Sequence, residues 1–266
     1  YMGIFSGFLI LSFYSVVAGW SLAYISYSVS GDLASDLDSS RAVFEALTSS
    51  APRLAFWHTL FMCLVIFVVS NGVTRGLERA VKILMPLLFV SLIAMVIYAL
   101  LVGDAYKALT YLFYPDFSKL SLDALIVAVG QAFFSLSLGM GALMIYGSYL
   151  PQEVSIPSTS VIVGLVDSLV AILAGLAIFP IVFGYGLEVS EGPGLVFVSL
   201  AIAFANMPFG DIFGFVFFML LSIAAWTSAI SLLEPVVAWL IETKDWSRPK
   251  SSLLSGGIIW MMCLAA

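Results

Sequence analysis

Two carboxylates stand inside long apolar runs of this sequence, Asp167 and Glu234. An ionised group at such a depth of hydrocarbon is costly, so each is a functional candidate. Asp167 has only small or aliphatic sequence neighbours, and its partner must therefore come from another helix. A bound monovalent cation satisfies it; so does a serine on the next helix, with the carboxyl protonated. Glu234 precedes Pro235 and can relieve the backbone that the proline frees, a structural role that stands beside a functional one. Ala224, Thr227 and Ser228 fall at i, i+3 and i+4 and share one helix face. A carbonyl and two hydroxyls there form the hard-oxygen environment a small alkali ion accepts, although such hydroxyls also bond back to the preceding turn.

The element that must position these groups is the stretch from Gln131 to Tyr149. It is apolar enough for a membrane, yet Ser135, Ser137, Gly139 and Gly141 weaken a helix in the middle of its crossing. A membrane helix opens its backbone only where the freed groups line a cavity or a ligand. Paired half-helices of this kind make midplane binding sites. The stretch predicts a broken helix that holds a small solute and an ion.

Composition fixes the class around that element. Of 266 residues, 62% are hydrophobic and 10% charged, against roughly a quarter charged in a soluble domain. The chain reads as an all-α polytopic membrane protein. A net charge of -6 argues against a nucleic-acid partner. Cys63 and Cys263 lie in apolar runs and read as small buried hydrophobes. His58 has no Cys, Asp or Glu at helical spacing to complete a metal site and reads as structural. Trp226 and the Met and Phe stripes read as packing.

Six complete apolar spans and one short one follow in order: 3–29, 54–70, a third ending near Gly103, 122–150, 158–185, 213–241 and 253–266. The connections 30–53 and 242–250 read as polar loops, and 186–212 as a re-entrant or capping hairpin around a half-length helix at 195–205. The last run is shorter than the roughly 20 residues that span, and Tyr1 is not a natural start, so the sequence reads as an internal piece of a longer protein. Arg75, Arg79, Lys82, Lys244, Arg248 and Lys250 are six of the ten basic residues and sit in two short loops. By the positive-inside rule these loops face the cytoplasm. Tyr1 then lies on that side, with the acidic loop and the half-length helix, as a lid, outside.

Four stretches carry a resemblance. They are Gly-Gln-Ala-Phe-Phe-Ser-Leu-Ser-Leu-Gly-Met-Gly at 130–141, Arg-Gly-Leu-Glu-Arg-Ala-Val-Lys-Ile-Leu-Met-Pro at 75–86, Tyr-Pro-Asp-Phe-Ser-Lys-Leu at 114–120 and Trp-Thr-Ser-Ala-Ile-Ser-Leu-Leu-Glu-Pro at 226–235. In their order and spacing the chain resembles the neurotransmitter:sodium symporter family. The resemblance implies a partial inverted-repeat transporter fold with a broken helix. Residues 1–266 would form a single transmembrane domain, the family's third to ninth helices, about seven of twelve.

It also implies roles. Tyr14 would hold the substrate carboxylate, with Ile10 one turn earlier lining the pocket. Phe134 would be an aromatic lid, Ser137 and Met140 would face the substrate, and Leu232 would close the floor beside Ser228. Ser135 and Asp167 would bind one sodium; Ala224, Thr227 and Ser228 would bind a second. Tyr149 and Glu242 resemble members of a cytoplasmic gate that Phe134 matches on the outer side. Asp167 stands where many members have Asn, and Ala171 where chloride-independent members often place a carboxylate. The fixed charge of Asp167 on the same face predicts chloride independence. Met140 in place of a frequent Phe favours a hydrophobic or aromatic amino acid.

The function implied is sodium-coupled symport of a neutral amino acid across the plasma (inner) membrane, with Na+ as the coupling ion. The alternative is a member of the same fold that senses amino acids without moving them. An enzyme would need a nucleophile and base or a metal set, and a channel a filter or ring of charges; neither pattern is visible in the sequence.

Overall fold

The computed structural model describes residues 2–72, 78–148, 150–151, 153–186, 189 and 192–264. In chain order the helices are α1 (Met2–Ser30), α2 (Leu37–Thr48), α3 (Ala51–Asn71), α4 (Glu78–Val102), α5 (Ala105–Phe113), α6 (Leu122–Ser135), α7 (Ala142–Ser148), α8 (Ile156–Gly184), α9 (Leu200–Asn206), α10 (Gly210–Lys244) and α11 (Arg248–Leu264). Five of the described helices are long and apolar enough to cross a membrane: α1, α3, α8, α10 and the Met85–Val102 part of α4. Apolar residues surround these helices on all sides, as expected of spans. The fourth expected span is divided into α6 and α7.

Three connections are more ordered than the sequence suggested. The polar loop at 30–53 contains α2, whose amino terminus is capped by Asp36 accepting from the Ser39 amide at 2.9 Å. Leu47 of α2 is buried and Phe44 stacks on Phe197. Asp104 caps α5 in the same way through the Lys107 amide at 3.0 Å. These amide bonds hold both cap carboxyls below the usual carboxylate range. The charged stretch 242–250 is mostly helical: α10 runs to Lys244 and α11 begins at Arg248, leaving a turn through Asp245 at φ 51.

The expected hairpin at 186–212 corresponds to a π-helical turn, Leu195–Ser199, continuing into α9. It is not a loose cover. Phe197, Leu200, Ala203 and Phe204 are buried against Tyr24 and Phe218 in an aromatic core at one end of α1 and α10.

The most extensive helix pairing is α1 with α10, flanked by α3 and α11; α4 pairs with α8. In hydrocarbon, helices associate through close packing and interhelical hydrogen bonds, and such bonds tie the first group together. Ser21 and Ser222 share a bond of 2.7 Å between α1 and α10. His58 Nε2 lies 3.0 Å from Ser15 Oγ, both buried, joining α3 to α1 in keeping with a structural role. Trp260 Nε1 donates to Thr59 Oγ1 at 2.8 Å, joining α11 to α3.

Glu234 is 1% exposed, and its partner is Arg248, the first residue of α11. The guanidinium donates to both carboxylate oxygens at 2.8 and 2.9 Å and to the Val69 carbonyl at 3.3 Å. The sequence left Glu234 between a service to the backbone at Pro235 and a functional role, and the structure gives it an ion pair across two helices. Losing one member of a buried pair strands the other charge, whereas replacing both with apolar groups is far milder. Arg248→Met alone is expected to lower stability by about 3–5 kcal/mol. Arg248→Met with Glu234→Leu should recover most of that loss in denaturant unfolding of the purified protein. Equal losses in the single and double variants would contradict this.

Candidate functional site

The ladder of α6 ends with the Ser137 amide on the Phe134 carbonyl and the Leu138 amide on the Phe133 carbonyl. It resumes when the Ile145 amide meets the Gly141 carbonyl. Between them the link 136–141 takes three left-handed residues: Ser137 at φ 53, Gly139 at φ 78 and Gly141 at φ 82. Glycine adopts this region freely and other residues resist it, which is why the break falls on the Ser-Leu-Gly-Met-Gly run.

The break opens on a cavity of about 130 Å³. Its walls are Ile10 and Tyr14 of α1, Phe134 and Ser135 at the end of α6, Ser137 and Met140 of the link, and Ser228 and Leu232 of α10. These are the residues to which the family resemblance gives substrate roles, with Ser135 and Ser228 given to ions as well. The Tyr14 and Ser228 side chains both line the cavity, from α1 and α10. Met140 and Leu232 are buried beneath, and Phe134 is half exposed at the rim. Larger cavities exist, such as one of about 290 Å³ among Ile4, Phe5, Phe8, Val236 and Trp239. Its walls lack the convergent hydroxyls that orient a small polar ligand. Two others, of about 340 and 380 Å³, carry Tyr14 with Ser21 and Tyr146 with Thr159 and Ser160, but neither opens on the link 136–141 with hydroxyls from α1, the link and α10 together.

Two oxygen clusters adjoin the small cavity. Ser135 Oγ lies 2.7 Å from both oxygens of Asp167, so that the end of α6 is tied to α8. On α10, Thr227 Oγ1 donates back to the Ala224 carbonyl at 3.0 Å, and Ser228 on the same face enters the cavity. Each cluster keeps acceptor lone pairs for a hard cation while its hydroxyl has a partner in the chain.

Of the gate residues, Phe134 lines the cavity. Tyr149 lies outside the described residues. Glu242 is exposed near the end of α10, about 15 Å along the helix from Leu232 by helical rise. A residue the sequence reading passed over ties the broken helix to α10: the Tyr146 hydroxyl bonds Ser231 Oγ at 2.8 Å, joining α7 to α10.

Strain at the link gives a direct check. Gly139→Ala is expected to cost about 1–2 kcal/mol in unfolding free energy, because it forces a Cβ into the left-handed region. Gly130→Ala, at a position in α6 where an added methyl group meets nothing within 4 Å, should be neutral or stabilising. A Gly139→Ala protein as stable as Gly130→Ala would argue against the left-handed link.

Comparison with known proteins places this architecture. The family model described as the sodium:neurotransmitter symporter family matches residues 38–266. The chain is 38% identical over 264 residues to YhdH of Bacillus subtilis strain 168, an uncharacterized sodium-dependent transporter; the match covers 98% of this chain and 58% of that protein. It is 37% identical to an uncharacterized sodium-dependent transporter of Haemophilus influenzae, covering 98% and 58%. Among solved structures, the crystal structure of MhsT in complex with L-phenylalanine superposes with a TM-score of 0.91 at 46% identity, covering 99% of this chain and 60% of that one. The chain thus spans a little under two thirds of the length of these relatives. With its broken helix and packed apolar spans, it belongs to the sodium:neurotransmitter symporter family.

Proposed function

We propose that this chain carries the substrate pocket and part of the ion sites of a sodium-coupled symporter for neutral, hydrophobic or aromatic amino acids in the plasma membrane. The observation that supports it best is the convergence of Tyr14, Ser137 and Ser228 hydroxyls on a small cavity beside an unwound helix. The names of the relatives agree: two are sodium-dependent transporters, and one solved structure holds phenylalanine. Residues 1–266 act as one membrane domain matching the family's third to ninth helices.

In this reading the Tyr14 hydroxyl donates to the substrate carboxylate, and Ile10, Met140 and Leu232 take its side chain. Phe134 closes over it. Ser135 and Asp167 offer oxygens to one sodium ion; the Ala224 carbonyl, Thr227 and Ser228 offer oxygens to another. Each bound species completes the other's surroundings, so the closed state is populated well only when all are present, which is a coupling free energy in the strict sense. The link is the part that moves. The body of α1 and α10 stays fixed while the broken helix rocks against it.

Asp167 brings a full negative charge to the sodium it contacts. That charge does the work of an anion, so chloride is not needed.

The test is sodium-dependent binding of labelled leucine, phenylalanine, tryptophan and tyrosine by the full-length protein. Asp167→Ala is expected to weaken binding at least about thirtyfold, the equivalent of about 2 kcal/mol for a lost partner of a desolvated charge. Replacing chloride by gluconate should change nothing. Binding indifferent to sodium would remove the ion roles of Asp167, Thr227 and Ser228, and binding without counterflow in vesicles would favour the sensing alternative.

A further inference from the structure

We infer that Gly3 and Gly7 of α1 form a seat for the unwound link, and that their missing side chains set how tightly the floor of the cavity closes; this rests on the symporter reading above. A methyl group on Gly3 would lie 2.7 Å from the Gly139 carbonyl oxygen and 3.3 Å from the Gly141 amide nitrogen. One on Gly7 would lie 3.2 Å from the Met140 carbonyl oxygen and 3.6 Å from that of Leu232. These neighbours are backbone atoms and cannot rotate aside as a side chain would. Ser6 Oγ, between the two glycines, bonds the Gly3 carbonyl at 2.9 Å and faces the Gly139 carbonyl at 3.5 Å.

The far side of the link is held as well. A Cβ on Gly141 would sit 3.5 Å from Pro235 Cβ and 3.7 Å from Ile4 Cγ1. The link therefore passes between α1 and α10 where the cavity ends: Gly7 lies one turn before Ile10, and Met140 and Leu232 form the floor. Against Gly3 and Gly7 the contact is made by backbone atoms, with Met140 as the buried side chain that the link carries. The link can lift from α1 and return at small cost, yet an added methyl group holds it off in the closed state. Gly3 and Gly7 are positioning residues, acting on substrate through Met140 and the closure beneath it.

Alanine at either position fills space that is already occupied, and overpacking of this kind is worth about tenfold in an equilibrium. The experiment uses the full-length protein with Cys63→Ala and Cys263→Ala, plus Ser231→Cys, next to the floor residue Leu232, as a reporter; every variant shares this background, so loss of the Tyr146–Ser231 bond is common to all. Two quantities are read: sodium-dependent phenylalanine binding, and the rate at which a maleimide labels the reporter thiol without ligand. Gly3→Ala and Gly7→Ala are expected to weaken binding about tenfold and to speed labelling by a similar factor. Gly257→Ala, where an added methyl group meets nothing within 4 Å, should change neither. Ile4→Ala removes packing from the link without adding bulk; it should also speed labelling, and it keeps the test readable if an alanine variant does not fold. Labelling in Gly3→Ala, Gly7→Ala and Ile4→Ala equal to that in Gly257→Ala would overturn the seat. A parent protein that binds no amino acid would count against the symporter reading alone, because the labelling comparison needs no ligand.

Discussion

A backbone amide or carbonyl in hydrocarbon must have a partner or face a cavity, and the described structure is arranged around the one span where the helical ladder stops. The link 136–141 takes left-handed geometry at Ser137, Gly139 and Gly141. It is tolerable only because two long helices grip it. α1 meets it with glycines and α10 with Leu232 and Pro235, so the chain's weakest segment lies against its most extensive helix pairing. The cavity is a consequence of that arrangement: where the ladder opens, side-chain hydroxyls from α1, the link and α10 converge.

The polar side chains at membrane depth sort by what they join. Ser21 with Ser222, His58 with Ser15, Trp260 with Thr59 and Glu234 with Arg248 all connect α1, α3, α10 and α11. Together they make one body whose internal bonds are strengthened by the low dielectric around them. Asp167 with Ser135 joins α6 to α8 instead, and it is partly exposed. Between the two groups the described hydroxyl bonds are those of Tyr146 with Ser231 and of Ser6 with the Gly139 carbonyl. A body bonded across four helices beside a broken helix is the division on which the proposed rocking rests. The two carboxylates differ in their described partners. Glu234 is bonded by a bidentate arginine within the scaffold, whereas Asp167 accepts from a neutral serine at the end of α6.

Some of this was legible along the chain because it is local. Apolar length located the spans, and two serines and two glycines within seven residues located the break. The helices α2 and α5 were passed over although Asp36 and Asp104 stand at good capping positions, because charge between two spans reads first as a solvated loop. The stretch 242–250 was misjudged for a related reason: Arg248 enters a helix there because its guanidinium is committed to Glu234, a partner fourteen residues back that spacing does not reveal.

Composition and periodicity by themselves determined the class of the protein, the order of its spans and the place where the backbone opens, since each depends on a residue and its near neighbours. Tertiary structure alone decided the partners. Folding brought Ser135 to 2.7 Å from Asp167; it gave Glu234 the guanidinium of Arg248; and the closeness of α1 to the link came from Gly3 and Gly7 meeting residues more than a hundred positions away. In hydrocarbon a polar group must bond to whatever lies next to it in space, and a sequence specifies which face a residue occupies but not what that face will meet.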